Sequence, residues 1–191
     1  MPKIRVAING FGRIGRITSR ILLQRNDIEL VAANDLTDPA TLAHLFKYDS
    51  VHGVNQEQVA HDAKHLVVGG RKIALFAEQD PAKLPWKELD IDVVIESTGH
   101  FLTRELATAH LKAGARKVLL SAPAKDKTTK TVVLGINDEV LDGPDDIISN
   151  ASCTTNCAAP MIVGLDEVCG IEDGFISTVH AYTSDQRLHD A

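Results

Sequence analysis

The chain has 191 residues, 44% hydrophobic and 24% charged, with a formal net charge of -6. That length suffices for one full domain and the start of another, and the composition excludes disorder and fibrous repeats. The negative charge argues against nucleic acid or an anionic membrane as the main partner, and no apolar run approaches the roughly 20 residues of a membrane span.

Met1-Pro2-Lys3 leads straight into a short strand and not into a signal-peptide core, so a cytoplasmic protein is expected. Cys153, Cys157 and Cys169 are too few and too unevenly placed for a disulfide framework. No His or further Cys stands at ligand spacing from them, so no metal site is expected.

Ile4 to Ile8 is a β-rich run that stops at Asn9-Gly10-Phe11-Gly12-Arg13-Ile14-Gly15, after which Ile14, Ile17, Ile21 and Leu22 recur at helical spacing. A second strand, Ile28 to Ala33, ends in Asn34-Asp35. Strand, glycine turn, helix and strand with an acidic residue about 20 positions on make the G-x-G-x-x-G pattern a dinucleotide signature. Gly10 permits the turn, Gly12 lets backbone approach a pyrophosphate, and Gly15 lets helix and sheet pack closely. Asp35 accepts hydrogen bonds from a ribose and repels a 2′-phosphate, which favours NAD over NADP.

Pro39 to Phe46 reads as a helix with Asp38 as its N-cap, and Lys64 to Val68 and Arg71 to Leu75 flank Gly69-Gly70 as a hairpin inserted into the βαβ pattern. His52, His61 and His65 lie in that polar stretch and are read as surface residues. Asp92 to Glu96 is a buried-type strand running into Ser97-Thr98-Gly99, and Thr103 to Ala113 is a helix ended by Gly114. Lys117 to Leu120 is a further strand closing at Ser121-Ala122. Ligands of open parallel sheets lie across the carboxyl ends of the strands, where Gly10, Asp35, Thr98, Gly99 and Ser121 all fall.

Lys125 to Lys130 reads as a solvated loop, with Thr131 to Leu134 and Asp146 to Ile148 as the last strands before Cys153. Cys153 then stands where a strand ends and a helix begins. Unpaired N–H groups and the positive end of the helix dipole stabilise a thiolate there, although a small packed Cys beside an N-cap fits the same local pattern. Pro160 should kink that helix early. Phe175 to Tyr182 reads as a strand presenting His180, a residue type that in a strand serves structure more often than catalysis.

Ala7 to Arg16, Ser149 to Cys157 and Thr178 to Thr183 closely resemble the phosphorylating glyceraldehyde-3-phosphate dehydrogenases. The resemblance implies an α/β chain with a Rossmann-type, doubly wound, mostly parallel NAD-binding domain over residues 1–150. It also implies the beginning of an α+β catalytic domain over residues 151–191. By matching motif, Cys153 is the nucleophile and His180 its acid–base partner. Gly10, Gly12, Arg13, Ile14, Asp35, Thr98, Gly99 and Ser121 would hold the dinucleotide, and Ser152, Thr154 and Thr183 would contact phosphate groups. The implied partners are a small aldehyde phosphate and inorganic phosphate, in a homotetramer. Close alternatives are an erythrose-4-phosphate dehydrogenase and a catalytically silent NAD-binding module. Because the polypeptide stops at Asp190-Ala191 after a polar segment, the catalytic domain is expected to be partial and the chain alone to turn over negligibly.

Overall fold

A computed structural model describes residues 2–183. The final segment from Ser184 to Ala191 lies outside the described residues. The elements follow in order as β1 (Ile4–Asn9), α1 (Arg13–Leu22), β2 (Ile28–Asn34), α2 (Pro39–Lys47), β3 (Val59–His61), β4 (His65–Val68) and β5 (Arg71–Phe76). Then come β6 (Val93–Glu96), α3 (Arg104–Lys112), β7 (Lys117–Leu120), β8 (Lys130–Thr131), β9 (Ile147–Ser149) and α4 (Cys153–Cys169). Short 3₁₀ turns occupy Pro81–Lys83 and Asp138–Asp142.

The strands form one sheet in the order β3-β4-β5-β2-β1-β6-β7-β9-β8. Every pairing from β5 to β8 is parallel, and only β3–β4 and β4–β5 are antiparallel. This is the doubly wound α/β architecture expected. From β1 the chain builds outward through β2 and β5, then returns to β6 on the other side, so the topological switch point lies between β1 and β6. The inserted hairpin extends the edge of the sheet, because β5 pairs with β2 as well as with β4.

Alternation along the strands divides the core. Val6 and Ile8 of β1 pack with Phe11, Leu42 and Phe46 on one face, whereas Ala7 packs with Ala32, Trp86 and Val94 on the other. A third cluster joins Ala107 of α3 to Val118, Leu120 and Ile147. Two helix starts are fixed by side-chain caps: the Asp38 carboxylate accepts from the Thr41 N–H at 2.9 Å, as expected, and Thr103, read as the first helical residue, stands one position before α3, its hydroxyl accepting from the Leu106 N–H at 3.2 Å.

Several expectations are corrected. Ile14 and Ile21 of α1 are 53% and 57% exposed, and the residues this helix buries are Gly15 and Ser19. The helix lies so close to β1 that only small residues fit beneath it. A Cβ built on Gly15 would stand 2.1 Å from the Gly10 carbonyl oxygen. In the loop expected to be solvated, Lys125, Lys127 and Lys130 do face solvent, whereas Asp126 turns inward and accepts from the N–H groups of Arg104, Thr128 and Thr129 at 2.6 to 2.7 Å. Those bonds, the Arg104 N–H first and the Thr128 hydroxyl next, hold its carboxyl well below the ordinary carboxylate range.

The strand expected over Thr131 to Leu134 shrinks to Lys130–Thr131, because Val132 and Val133 turn into the core while Leu134 faces out. Phe175 to Tyr182 forms no strand, since no strand among the described residues lies beside it to take up its N–H and C=O groups. The helix α4 extends from Cys153 to Cys169 with Pro160 inside it.

The contact beneath α1 yields a stability prediction. Gly15→Ala should lower the unfolding free energy by about 2–3 kcal/mol in urea titration, because backbone must move to admit the methyl. Gly12→Ala, whose Cβ meets nothing within 4 Å, should cost under about 1 kcal/mol in the same assay.

Candidate functional site

The first part of the site is a groove of about 430 Å³ across the switch point, reached from the ends of β1, β2 and β6. Its lining includes Gly10, Gly12, Arg13, Ile14, Asp35 and Thr98, six of the residues expected to hold a dinucleotide. Gly99 and Ser121 are not on that lining. Gly99 is exposed beside Thr98, and Ser121 follows β7, its N–H bonded to the Glu96 carbonyl at 3.0 Å.

Three features of this groove suit a pyrophosphate flanked by a ribose. The helix α1 starts at Gly12 with no side-chain cap and no acidic residue in its first turn, which leaves its leading N–H groups and dipole to an anion. The space a Cβ would fill at Gly12 is open, whereas at Gly10 a Cβ would stand 2.6 Å from the Thr98 nitrogen. Gly10 and Gly15 are therefore required by the protein's own packing, and Gly12 leaves room for a ligand.

The Asp35 carboxylate accepts from the Phe11 N–H at 2.8 Å and the Thr37 N–H at 2.9 Å. It is thus fixed at the end of β2, while Arg16 donates to the Phe11 carbonyl at 2.9 Å and braces the glycine turn from the helix side. A carboxylate so held still has acceptor capacity for ribose hydroxyls. Motif reading missed the lining residues Asn9, Asn34, Glu78 and Ser97. Position at strand ends, the criterion that singled out Thr98, applies equally to the two asparagines.

The second part is built at the head of α4. The Ser152 hydroxyl caps this helix, accepting from the Thr155 N–H at 2.9 Å, and Cys153 is the first helical residue. Just before it, Ala151 is buried at φ 60°, a left-handed conformation that is strained for a residue with a Cβ. The Ser149 hydroxyl holds the Ala151 N–H at 3.1 Å, and Asn156 donates to the Asn150 and Ser152 carbonyls at 2.8 and 3.0 Å. The turn that delivers the thiol is thus tied down on both sides.

Although His180 lies in an irregular segment, its Nε2 comes 3.2 Å from Cys153 Sγ. This bond is the main cause lowering the Cys153 pKa, with the Thr154 hydroxyl and N–H adding to it and partial burial opposing it. The same contact raises the His180 pKa, helped by a bond to the Ala181 carbonyl. Opposite shifts on adjacent groups favour a thiolate–imidazolium pair. Cys153, Cys157 and Cys169 are all free and exposed, but only Cys153 has such a partner. Thr154 is half-buried against the sulfur, and Thr183 is half-buried near the end of the described segment. Among the described residues no cluster of His, Cys, Asp or Glu could hold a metal ion.

The fold and groove define a dinucleotide-binding protein of the doubly wound α/β class, with a primed thiol at the same end of the sheet. Residues 4–104 match the family model described as glyceraldehyde 3-phosphate dehydrogenase, NAD binding domain, and residues 152–191 match the C-terminal domain of that family. The chain belongs to the glyceraldehyde-3-phosphate dehydrogenase family. It is 56% identical over 188 residues to the glyceraldehyde-3-phosphate dehydrogenase of Mycoplasma pneumoniae, covering 98% of this chain and 56% of the relative. Identity to the Thermotoga maritima protein of that name is 56% over 97% of this chain and 56% of the relative, and to the Geobacillus stearothermophilus protein 53% over 98% and 56%. The chain therefore spans a little over half the length of these relatives.

The thiolate is the form that alkylates, so the Cys153 rate should rise with pH through its own lowered pKa, with a midpoint below the value of about 8.5 for a free thiol. His180→Ala should move that midpoint upward. Site-resolved mass spectrometry after brief iodoacetamide pulses separates Cys153 from Cys157 and Cys169 and checks both outcomes.

Proposed function

We propose that this chain is the NAD-binding part and the catalytic cysteine segment of an NAD-dependent, phosphorylating glyceraldehyde-3-phosphate dehydrogenase, working in the cytoplasm as part of a homotetramer. The observation that carries the reading is the 3.2 Å contact between Cys153 Sγ and His180 Nε2 at a helix N-terminus, on a fold whose glycine turn suits NAD. Residues 1–150 are assigned to the dinucleotide domain and 151–191 to the catalytic domain. Three cysteines without a disulfide agree with a reducing compartment, and no described helix is long and apolar enough to cross a membrane.

In the proposed reaction the Cys153 thiolate adds to the aldehyde carbon of glyceraldehyde 3-phosphate. The resulting oxyanion takes a proton from the His180 imidazolium and becomes a hemithioacetal. The N–H groups heading α4 support that oxyanion as it forms. Gly10, Gly12, Arg13, Ile14, Asp35, Thr98, Gly99 and Ser121 would hold NAD, which when bound would supply the acceptor for the two electrons and the hydrogen that leave the carbon. His180 meanwhile takes back the hydroxyl proton, and Cys153 is left as a thioester. Inorganic phosphate then attacks the acyl carbon, the C–S bond breaks, and 1,3-bisphosphoglycerate leaves as the thiolate returns to its histidine.

Ser152, Thr154 and Thr183 are assigned to the phosphate groups of the substrate and of the attacking anion. The Ser152 oxygen already caps α4, so it contributes only its O–H, whereas Thr154 turns toward the sulfur it also polarises.

In a protein carrying this sequence at the relatives' full length, Cys153→Ser should abolish aldehyde oxidation while leaving NAD affinity within about twofold. Steady-state NADH formation and isothermal calorimetry read the two quantities, and unchanged turnover contradicts the assignment. Gly12→Ala should do the reverse to binding, weakening NAD at least about tenfold by placing a methyl where backbone meets the pyrophosphate.

A further inference from the structure

Glu96 ends β6 with its side chain fully buried, and the reaction outlined above does not use it. In the sheet register it lies beside Asn9 of β1, which lies beside Asn34 of β2, so three polar residues form a row across the carboxyl ends of adjacent strands. A chain of hydrogen bonds fixes which atom faces which along that row.

At one end, the Glu78 N–H donates to Asn34 Oδ1 at 2.8 Å and the Glu78 carbonyl accepts from Asn34 Nδ2 at 2.9 Å, which settles the orientation of the Asn34 amide. Asn34 Nδ2 also donates to Asn9 Oδ1 at 2.7 Å, which turns Asn9 Nδ2 toward Glu96 Oε2 at 2.6 Å. At the other end, the Trp86 indole can only donate, and it donates to His110 Nδ1 at 3.1 Å. The His110 proton is thereby placed on Nε2, 3.0 Å from the same Glu96 oxygen. Glu96 Oε1 accepts from the Thr98 N–H at 2.7 Å and from the Thr98 hydroxyl.

Every neighbour of Glu96 is therefore a donor, and a carboxylate is the side-chain end of that size that accepts at both of its atoms. A glutamine must turn its NH₂ against either Thr98 or the Asn9–His110 pair. The His110 ring meets Glu96 of β6, Asn9 of β1, Trp86 and Phe101, and Glu96 is the one acidic side chain among them. Four members or ends of this network, Asn9, Asn34, Glu78 and Thr98, line the dinucleotide groove.

We propose that Glu96 is a positioning residue for the dinucleotide groove, and that Trp86 and His110 set the hydrogen-bond polarity that lets it serve. The inference rests on the groove being the NAD site. Its added content is that a buried carboxylate out of reach of solvent holds the ends of three strands in the spacing the ligand requires. Trp86, the single tryptophan of the chain, acts on the groove through two intervening side chains.

The test measures NAD affinity by calorimetry on the unmodified chain, Glu96→Gln and Trp86→Phe, at a temperature where circular dichroism shows each folded. Nitrogen-15 NMR of the His110 ring in the unmodified chain without NAD reads the tautomer independently. Glu96→Gln should weaken NAD about tenfold or more, and Trp86→Phe several-fold, since it frees the His110 tautomer without touching the groove. His110 should carry its proton on Nε2. A role in stability alone would lower the melting temperature of both variants and leave their affinities unchanged. Folded variants that bind within about twofold of an unmodified chain that does bind overturn the role of Glu96, as does a proton on Nδ1. Should Glu96→Gln fail to fold, Trp86→Phe and the tautomer decide the matter. Failure of the unmodified chain to bind NAD overturns the dinucleotide reading itself, and the positioning role with it.

Discussion

The backbone of α1 touches the backbone of the turn that precedes it, and the rest of the molecule is arranged around that contact. With no Cβ at Gly15 the helix sits against the Gly10 carbonyl, and with none at Gly10 the turn sits against Ser97 and Thr98 at the end of β6. The helix, the turn that leads into it and the distant end of β6 meet there without side chains between them. The meeting point is the topological switch point of the sheet, where crossovers leave in opposite directions and a crevice opens. Moving either glycine contact by a methyl group displaces the helix N-terminus from the position in which its free N–H groups face that crevice.

The carboxyl edge of the sheet then serves two ends at once. On the β1–β2–β6 side it presents backbone N–H groups, the Asp35 carboxylate and the row of amides backed by Glu96. Beyond β7, the last residue of β9 is Ser149, whose hydroxyl holds the strained Ala151 in the turn into α4. Strain at Ala151 is local and unfavourable, and it persists because the sheet fixes one side of the turn and the Ser152 cap fixes the other. Cys153 is thereby set at the helix head, where the dipole and His180 act on the same sulfur. A thiol and a nucleotide groove on one sheet edge are the physical requirements for joining covalent catalysis to a redox cofactor.

Much of this was legible in residue order because the informative features are local. A glycine spacing between a strand and a helix, an acidic residue after the next strand, and Ser-Cys at a helix start each depend on a few neighbouring residues. The Asp38 cap was legible for the same reason. The face of α1 was not, because Ile14, Ile17 and Ile21 carry a helical period whether or not a larger side chain can fit under the helix. Nor was the Glu96 network, whose partners come from β1, β2, Trp86 and α3 and are brought together by sheet register. Asp126 passed for a solvated charge because a loop's inward turn depends on donors from α3. The segment from Phe175 to Tyr182 has a strand's composition, but a strand also needs a neighbour.

The central claim is that the carboxylate at the end of β2 and the open Gly12 turn make this groove an NAD site, and direct titration tests it. Calorimetry of the chain with NAD and with NADP, at matched ionic strength, should give clear binding of NAD and an affinity for NADP lower by about tenfold or more, since a 2′-phosphate meets Asp35. Equal affinity for the two, a preference for NADP, or no binding of NAD would contradict the account.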